Sequence, residues 1–153
     1  MQSTKLEQKI NDAGDRAAEV TQLASATSSN LLAAGYSDGA VRLWRIDTQE
    51  CTAVLTGHRS AVSALAFSGD SSQLASGGKD TDVIVWDVLG ETGMFRLRAH
   101  TDQVTGVAFL DRHSKLVSVS KDSALRVWDL TTQHCSQFVA HHEGAVRAQT
   151  AMS

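Results

Sequence analysis

Short apolar runs of about four to seven residues recur along the chain, separated by turns rich in Ser, Asp and Gly. Runs of that length between turn residues predict β-strands. The clearest set lies mid-chain. Residues 61–67 are small or apolar throughout, which suits a strand covered on both faces. Residues 74–77 predict a second strand, and 83–86 (Val-Ile-Val-Trp) a third that is again apolar on both faces. Over 94–98 the pattern turns to alternation, with Phe95 and Leu97 on one side and Arg96 and Arg98 on the other. That predicts a half-exposed outer strand, whose charges discourage edge-to-edge pairing. The set returns at 104–109, 116–120, 125–128 and 135–139; upstream, only 31–35 and 41–44 match, so the earliest set is legible only from its second strand. Turns are predicted at 37–39, 68–72 and 91–93. Residues 1–17 are polar and fit poorly. Thr4 and Glu7 have capping-box spacing, Leu6 and Ile10 share a helical face, and Gly14 would end such a helix, so a short helix and a frayed outer strand both fit.

The runs keep a fixed step. Trp44, Trp86 and Trp128 stand 42 residues apart, as do Asp38, Asp80 and Asp122, and His58, His100 and His142. A period of about 40–45 residues whose third strand ends in Trp-Asp is a propeller blade signature. The predicted fold is all-β: a partial WD40 β-propeller of about three four-stranded antiparallel blades. A polar segment over 1–17 precedes blade one (about 18–56), blade two (about 57–98), blade three (about 99–140) and the start of a fourth at 141–153. Closed propellers have about 4–8 blades, so an incomplete ring is expected. After Val146 the apolar pattern does not continue, and the sequence is expected to be a piece of a larger protein or a defective gene model.

Composition narrows the partners. With 14 basic and 17 acidic residues the net charge is −3, and no basic stripe supports direct nucleic-acid binding. Cys51 and Cys135 lie 84 residues apart, two periods, so they fall on equivalent strands two blades apart, beyond the ~7 Å reach of a disulfide. Two unpaired thiols suit a reducing compartment. The first 20 residues carry Lys5, Glu7, Lys9, Asp12, Asp15, Arg16 and Glu19, unlike a signal peptide or a membrane span. Cytosol or nucleus is expected.

Two constellations look chemical: His58, Ser76, Asp80 and Trp86, and, one period on, His100, Ser118, Asp122 and Trp128. Ser-His-Asp invites a nucleophilic reading. The competing reading is structural. In the WD40 repeat, which residues 18–146 resemble, these positions form a hydrogen-bond chain in which the turn Asp accepts from the imidazole, the imidazole meets the Ser hydroxyl, and the hydroxyl accepts from the donor-only indole. No Gly-x-Ser-x-Gly elbow accompanies the serines, and the set is duplicated at repeat spacing. The structural role is therefore expected, with no catalytic residue, no enzyme activity and no cofactor. Blade one departs: Ala34 holds its serine position and Arg16 its histidine position, so the network cannot form and the blade should be weaker. The Gly before the His is kept at Gly57 and replaced by Ala99 and His141.

Other candidates are thinner. His134, Cys135, His141 and His142 cluster without a zinc spacing, so no metal is expected. Lys79 and Lys121, one period apart with Arg59 nearby, form a candidate partner-contact face for an acidic partner or an RNA backbone, against the plainer reading of a solvated face. Arg96 and Arg98 make a second basic spot on the rim. Gly106 and Gly144 flank strand starts and form no phosphate loop.

Some stretches are more specific than a generic repeat: residues 33–42, the Asp-Thr-Asp at 80–82 within 74–87, 95–97, 102–106, 120–122, and above all Asp-Leu-Thr-Thr-Gln-His-Cys at 129–135. Over about 14–146 these resemble the WD repeat-containing protein 3 family, the tandem-propeller subunit of the small-subunit processome that assembles with the U3 small nucleolar RNA. The resemblance implies a nucleolar, non-enzymatic scaffold in 18S rRNA maturation and ribosome biogenesis. It also implies other WD40 subunits of a pre-ribosomal complex as partners, contact with U3 RNA or pre-rRNA directly or through the complex, no membrane and no small-molecule substrate. The family protein is longer, with a second propeller and a helical C-terminal region. The alternative is a generic WD40 adaptor, such as a ubiquitin-ligase substrate receptor or a signalling scaffold; the 80–82 and 132–135 segments favour the first.

Overall fold

The computed structural model of the chain describes residues 6, 8–10, 18–110 and 114–139. Among the described residues, twelve strands fall into three four-stranded antiparallel sheets. Blade one contains β1 (Val20–Ala26), β2 (Leu31–Tyr36), β3 (Val41–Arg45) and β4 (Cys51–Leu55). Blade two contains β5 (Val62–Phe67), β6 (Gln73–Gly78), β7 (Asp82–Asp87) and β8 (Thr92–Arg98). Blade three contains β9 (Val104–Phe109), β10 (Lys115–Ser120), β11 (Leu125–Asp129) and β12 (His134–Val139). Strands pair in chain order within each blade, and among the described residues no ring closes.

Blade one has a complete innermost strand, which the polar sequence Val-Thr-Gln-Leu-Ala-Ser-Ala hid. Gln22 and Leu23 face solvent there, and Leu23 is 57% exposed, so the inner-strand pattern of burial on both faces is missing. The turn expected at 91–93 falls at 88–91 instead: Glu91 takes a left-handed φ of 57°, while Thr92 and Gly93 already pair with Asp87 and Trp86. Gly106 sits inside β9, paired with Val119, and does not flank its start. Gly144 lies outside the described residues.

The blades stack face to face, and each interface buries an apolar core. Ala33, Val41, Leu43 and Leu55 of blade one pack against Val62, Leu74, Ile84 and Trp86 of blade two. The opposite face of blade two, with Ala75, Val83, Val85 and Leu97, packs against Val107, Leu116 and Trp128 of blade three. The first face of blade one, carrying Tyr36 and Trp44, is covered by Leu6 and Ile10 from the N-terminal segment, where residues 6 and 8–10 have helical backbone.

The innermost strands meet through a device with the same 42-residue step. Each carries a register shift at a hydroxyl residue: Thr21 in β1, Ser63 in β5 and Thr105 in β9. Thr21 Oγ1 donates to Val62 O at 2.6 Å, and Ser63 Oγ donates to Val104 O, each reaching from its own blade into the next. Gly35 and Gly77 make the approach possible. A Cβ on Gly77 would lie 2.4 Å from Val104 Cγ1, and one on Gly35 would lie 2.5 Å from Val62 Cγ1. Gly77→Ala is therefore expected to lower the thermal midpoint of the chain, by the ~1–3 kcal/mol typical of overpacking. A melting curve superimposable on wild type would show that the interface has slack the geometry does not suggest.

Candidate functional site

In blade two, neutral His58 bridges a turn to a buried strand. Its Nδ1 lies 3.1 and 3.2 Å from the Asp80 carboxylate oxygens, and its Nε2 lies 2.7 Å from Ser76 Oγ. Trp86 Nε1 donates to the same Ser76 oxygen at 2.8 Å. Blade three repeats the arrangement: His100 to Asp122 at 3.0 Å, His100 to Ser118 at 2.7 Å, and Trp128 to Ser118 at 2.9 Å. These contacts dictate the proton positions. The carboxylate can only accept, so Nδ1 carries the hydrogen; Nε2 then accepts from the serine hydroxyl, whose oxygen accepts from the indole. Ser76 and Ser118 are fully buried, and their oxygens face an indole. The arrangement reproduces the distances of a hydrolytic triad yet leaves no path for a substrate to reach the hydroxyl.

The electrostatics agree with that assignment. Burial holds the pKa of both His58 and His100 below the ordinary 6.5, against the opposing pull of their aspartates. Burial also pushes Asp80 and Asp122 upward, but the backbone amides and the imidazoles outweigh it, and both carboxyls sit below their usual range. Asp80 accepts from the Arg59 and Asp82 amides, Asp122 from the Thr101 and Ala124 amides. Each aspartate thus ties its own turn to the loop that leads into the innermost strand.

Blade one solves the same problem differently. Ala34 offers no acceptor, and Trp44 Nε1 is buried without a hydrogen-bond partner among the described residues. Arg16 lies outside the described residues. Tyr36 stands where blade two has Gly78, a residue whose added Cβ would lie 2.6 Å from His58 Nδ1 and 2.2 Å from Asp80 Oδ1. The Tyr36 side chain therefore projects into the room that the imidazole and carboxylate occupy in blade two. Its hydroxyl donates to Ile10 O, linking the blade to the N-terminal helical turn, and the Arg42 guanidinium lies 5.5 Å from its ring centroid. Burial pushes the phenol up to about 12, so it stays a donor. The phenol lies close enough to Trp44 to feel it, but the two do not meet at hydrogen-bond geometry.

The charged candidates are regrouped. Lys79 and Lys121 are exposed in equivalent turns, their amides held by Ala61 O and Gln103 O. Arg59 does not join them. Its guanidinium turns to Asp82, 3.8 Å away, and meets there the two arginines expected to form a separate rim spot. Arg96 Nη1 donates to Asp82 at 2.6 Å and Arg98 Nε lies 3.6 Å from it, while Arg96 Nη2 donates to Gly57 O at 2.6 Å. Asp82 is 2% exposed and is the functional candidate that reading by residue type passed over. Its visible signal was an aspartate at a repeat position that holds Ala40 and Ala124 in the neighbouring blades. Among the described residues, no group of three His, Cys, Asp or Glu is placed to hold a metal. His134 and Cys135 are described; His141 and His142 are not. Among the described residues, neither Cys51 nor Cys135 is part of a disulfide.

Three stacked four-stranded blades, each closing on a Trp near the end of its third strand, and two of them locked by the Asp-His-Ser-Trp chain, define a WD40 β-propeller segment. The chain belongs to the family of the WDR3 first beta-propeller domain, whose sequence profile matches residues 2–153. It is also similar to a WD repeat-containing protein 3 homolog of Dictyostelium discoideum, 44% identical over 48 residues. That segment is 31% of this chain and 5% of the relative, so the chain spans a small part of the relative's length.

Two outcomes follow from these geometries. The folded histidines resist the proton that the unfolded chain takes up near its ordinary 6.5. Their contribution is thus complete above about pH 7 and is lost as pH falls below about 6.5; the depressed aspartates add a further loss near their ordinary 3.8. The thermal midpoint is expected to be flat from about pH 7 to 8 and to fall on acidification, and a midpoint unchanged at pH 5.5 would contradict the neutral tautomer. Ala34→Ser is expected to give Trp44 Nε1 the acceptor it lacks and to stabilise the chain by ~1 kcal/mol, a rise of roughly 2–4 °C in midpoint. A lowered midpoint would mean that the blade-one site has no room for a hydroxyl.

Proposed function

We propose that the chain acts as a non-enzymatic protein-interaction scaffold of the small-subunit processome, serving 18S rRNA maturation in the nucleolus. The observation that carries this reading is the match to the WDR3 first propeller domain over residues 2–153. The residue types of a catalytic triad are present twice, but both serines are buried and engaged, which favours binding over chemistry. A propeller supplies rigid turns at fixed spacing, and such turns suit the docking of partner proteins. The turns carrying Lys79 and Lys121 form the proposed partner-contact face, turned toward other WD40 subunits of the complex. Contact with U3 RNA or pre-rRNA runs through those subunits, in keeping with the net charge of −3. The test is affinity purification of the tagged chain from cells. U3 RNA together with WD40 subunits of the processome is the expected recovery; a cullin-type ligase without U3 RNA would overturn the proposal in favour of an adaptor role.

A further inference from the structure

We propose that blade two carries a docking site for an acidic segment of a partner protein, built from the arginines around Asp82 and the groove beside them. The proposal deepens the scaffold reading and rests on it only in taking the ligand to be a protein. The repeat itself separates what the fold needs from what it does not. Asp82 is replaced by Ala40 in blade one and Ala124 in blade three; Arg96 by Val54 and Phe138; Arg98 by Thr56 and Ala140; Arg59 by Ala17 and Thr101. Neither neighbouring blade carries charge at any of these positions. Ala40 and Ala124 are buried too, so the blade closes without a carboxylate there.

What the four charges build is specific. Arg96 is pinned between Asp82 and Gly57 O by two bonds of 2.6 Å. Arg59 and Arg98 approach the same carboxylate only to 3.8 and 3.6 Å, and their side chains are 70% and 65% exposed. One aspartate thus gathers three guanidiniums, leaving an excess of two positive charges that face water. Guanidiniums held in this way present paired donors that match carboxylates. Beside them runs a groove of 290 Å3, lined by Arg96, Thr56, Gly57, Ile84, Trp86 and Met94. Met94 is the bulge residue opposite the Val85/Trp86 step of β7 and is 41% exposed. A groove with the exposed Met94 side chain on its wall and cations at one end fits an apolar side chain flanked by carboxylates. A nucleic-acid strand fits less well: Trp86 is 3% exposed, so it offers no ring face on which a base could stack.

The test is fluorescence anisotropy of the full chain with a fluorescein-labelled Glu-Asp-Leu-Glu-Asp peptide, alongside the Gly-for-Leu version, a Lys-for-acid version and a single-stranded RNA oligonucleotide. The acidic Leu peptide is expected to bind in a salt-sensitive manner. Binding should weaken about tenfold or more in Arg59→Glu/Arg98→Glu and in Met94→Asp. Asp82→Ala/Arg96→Val installs the residues of blade one and removes both partners together, leaving neither buried alone; it should keep the wild-type melting midpoint and lose the peptide. Absent peptide binding, binding indifferent to these substitutions, or tighter binding of the RNA through the same arginines overturns the proposal. If the peptide fails while U3 RNA still co-purifies, this site falls and the processome reading stands. Peptide binding without U3 RNA has the opposite meaning.

Discussion

A tryptophan indole can only donate, and this chain buries three of them, Trp86 and Trp128 where blades meet and Trp44 beneath the N-terminal segment. An unmet donor in such a place is costly, on the order of 1–3 kcal/mol, and the rest of each blade is arranged around that demand. In blades two and three a serine on the second strand accepts from the indole, a histidine orients the serine, and an aspartate orients the histidine. The aspartate lies in a turn and the histidine in the loop before the innermost strand. One chain of bonds therefore fixes the two loops, and the second of them delivers the innermost strand, with which the blade begins.

Blade one shows the same demand met incompletely. Without the serine its indole has no partner among the described residues, and the space left by the missing imidazole is taken by the Tyr36 phenol. The phenol reaches Ile10 O, so the polar N-terminal segment becomes part of the blade, covering the face with Leu6 and Ile10. A weaker internal network and a borrowed cover go together. The inner edge needs neither: Thr21 donates to Val62 O as Ser63 donates to Val104 O, and Gly35 admits the next strand as Gly77 does.

Much of this was legible in the sequence, because every blade poses the same local problem and the 42-residue step marks whatever solves it. The Asp-His-Ser-Trp positions, the strand order and the exposed outer strand were all readable from residue type and spacing. The bulge hydroxyls Thr21, Ser63 and Thr105 share that step, but residue type did not mark them: Thr and Ser are common in strands, and only the backbone register shows where the pairing shifts. The innermost strand of blade one escaped because its exposed Gln22 and Leu23 break the burial pattern. The hairpin after β7 was misplaced because Thr92 and Gly93 are turn-forming by type yet are claimed by pairing with β7. Arg59 looked like a companion of Lys79 because the two lie in adjacent turns. A buried carboxylate outcompetes a neighbouring cation, and the side chain turns to Asp82.

By itself the sequence determined the repeat, the propeller class and the residues common to its blades, since periodicity records requirements that recur. Only the tertiary structure decided where the blades differ. Arg59, Asp82, Arg96 and Arg98 come from a loop, the start of one strand and two places along another, and they share no periodic partner. Strand pairing brings Asp82 opposite Arg98, and the loop before β5 brings Arg59 over both. Such convergence depends on which chain segments lie side by side in space, a relation that linear spacing does not encode.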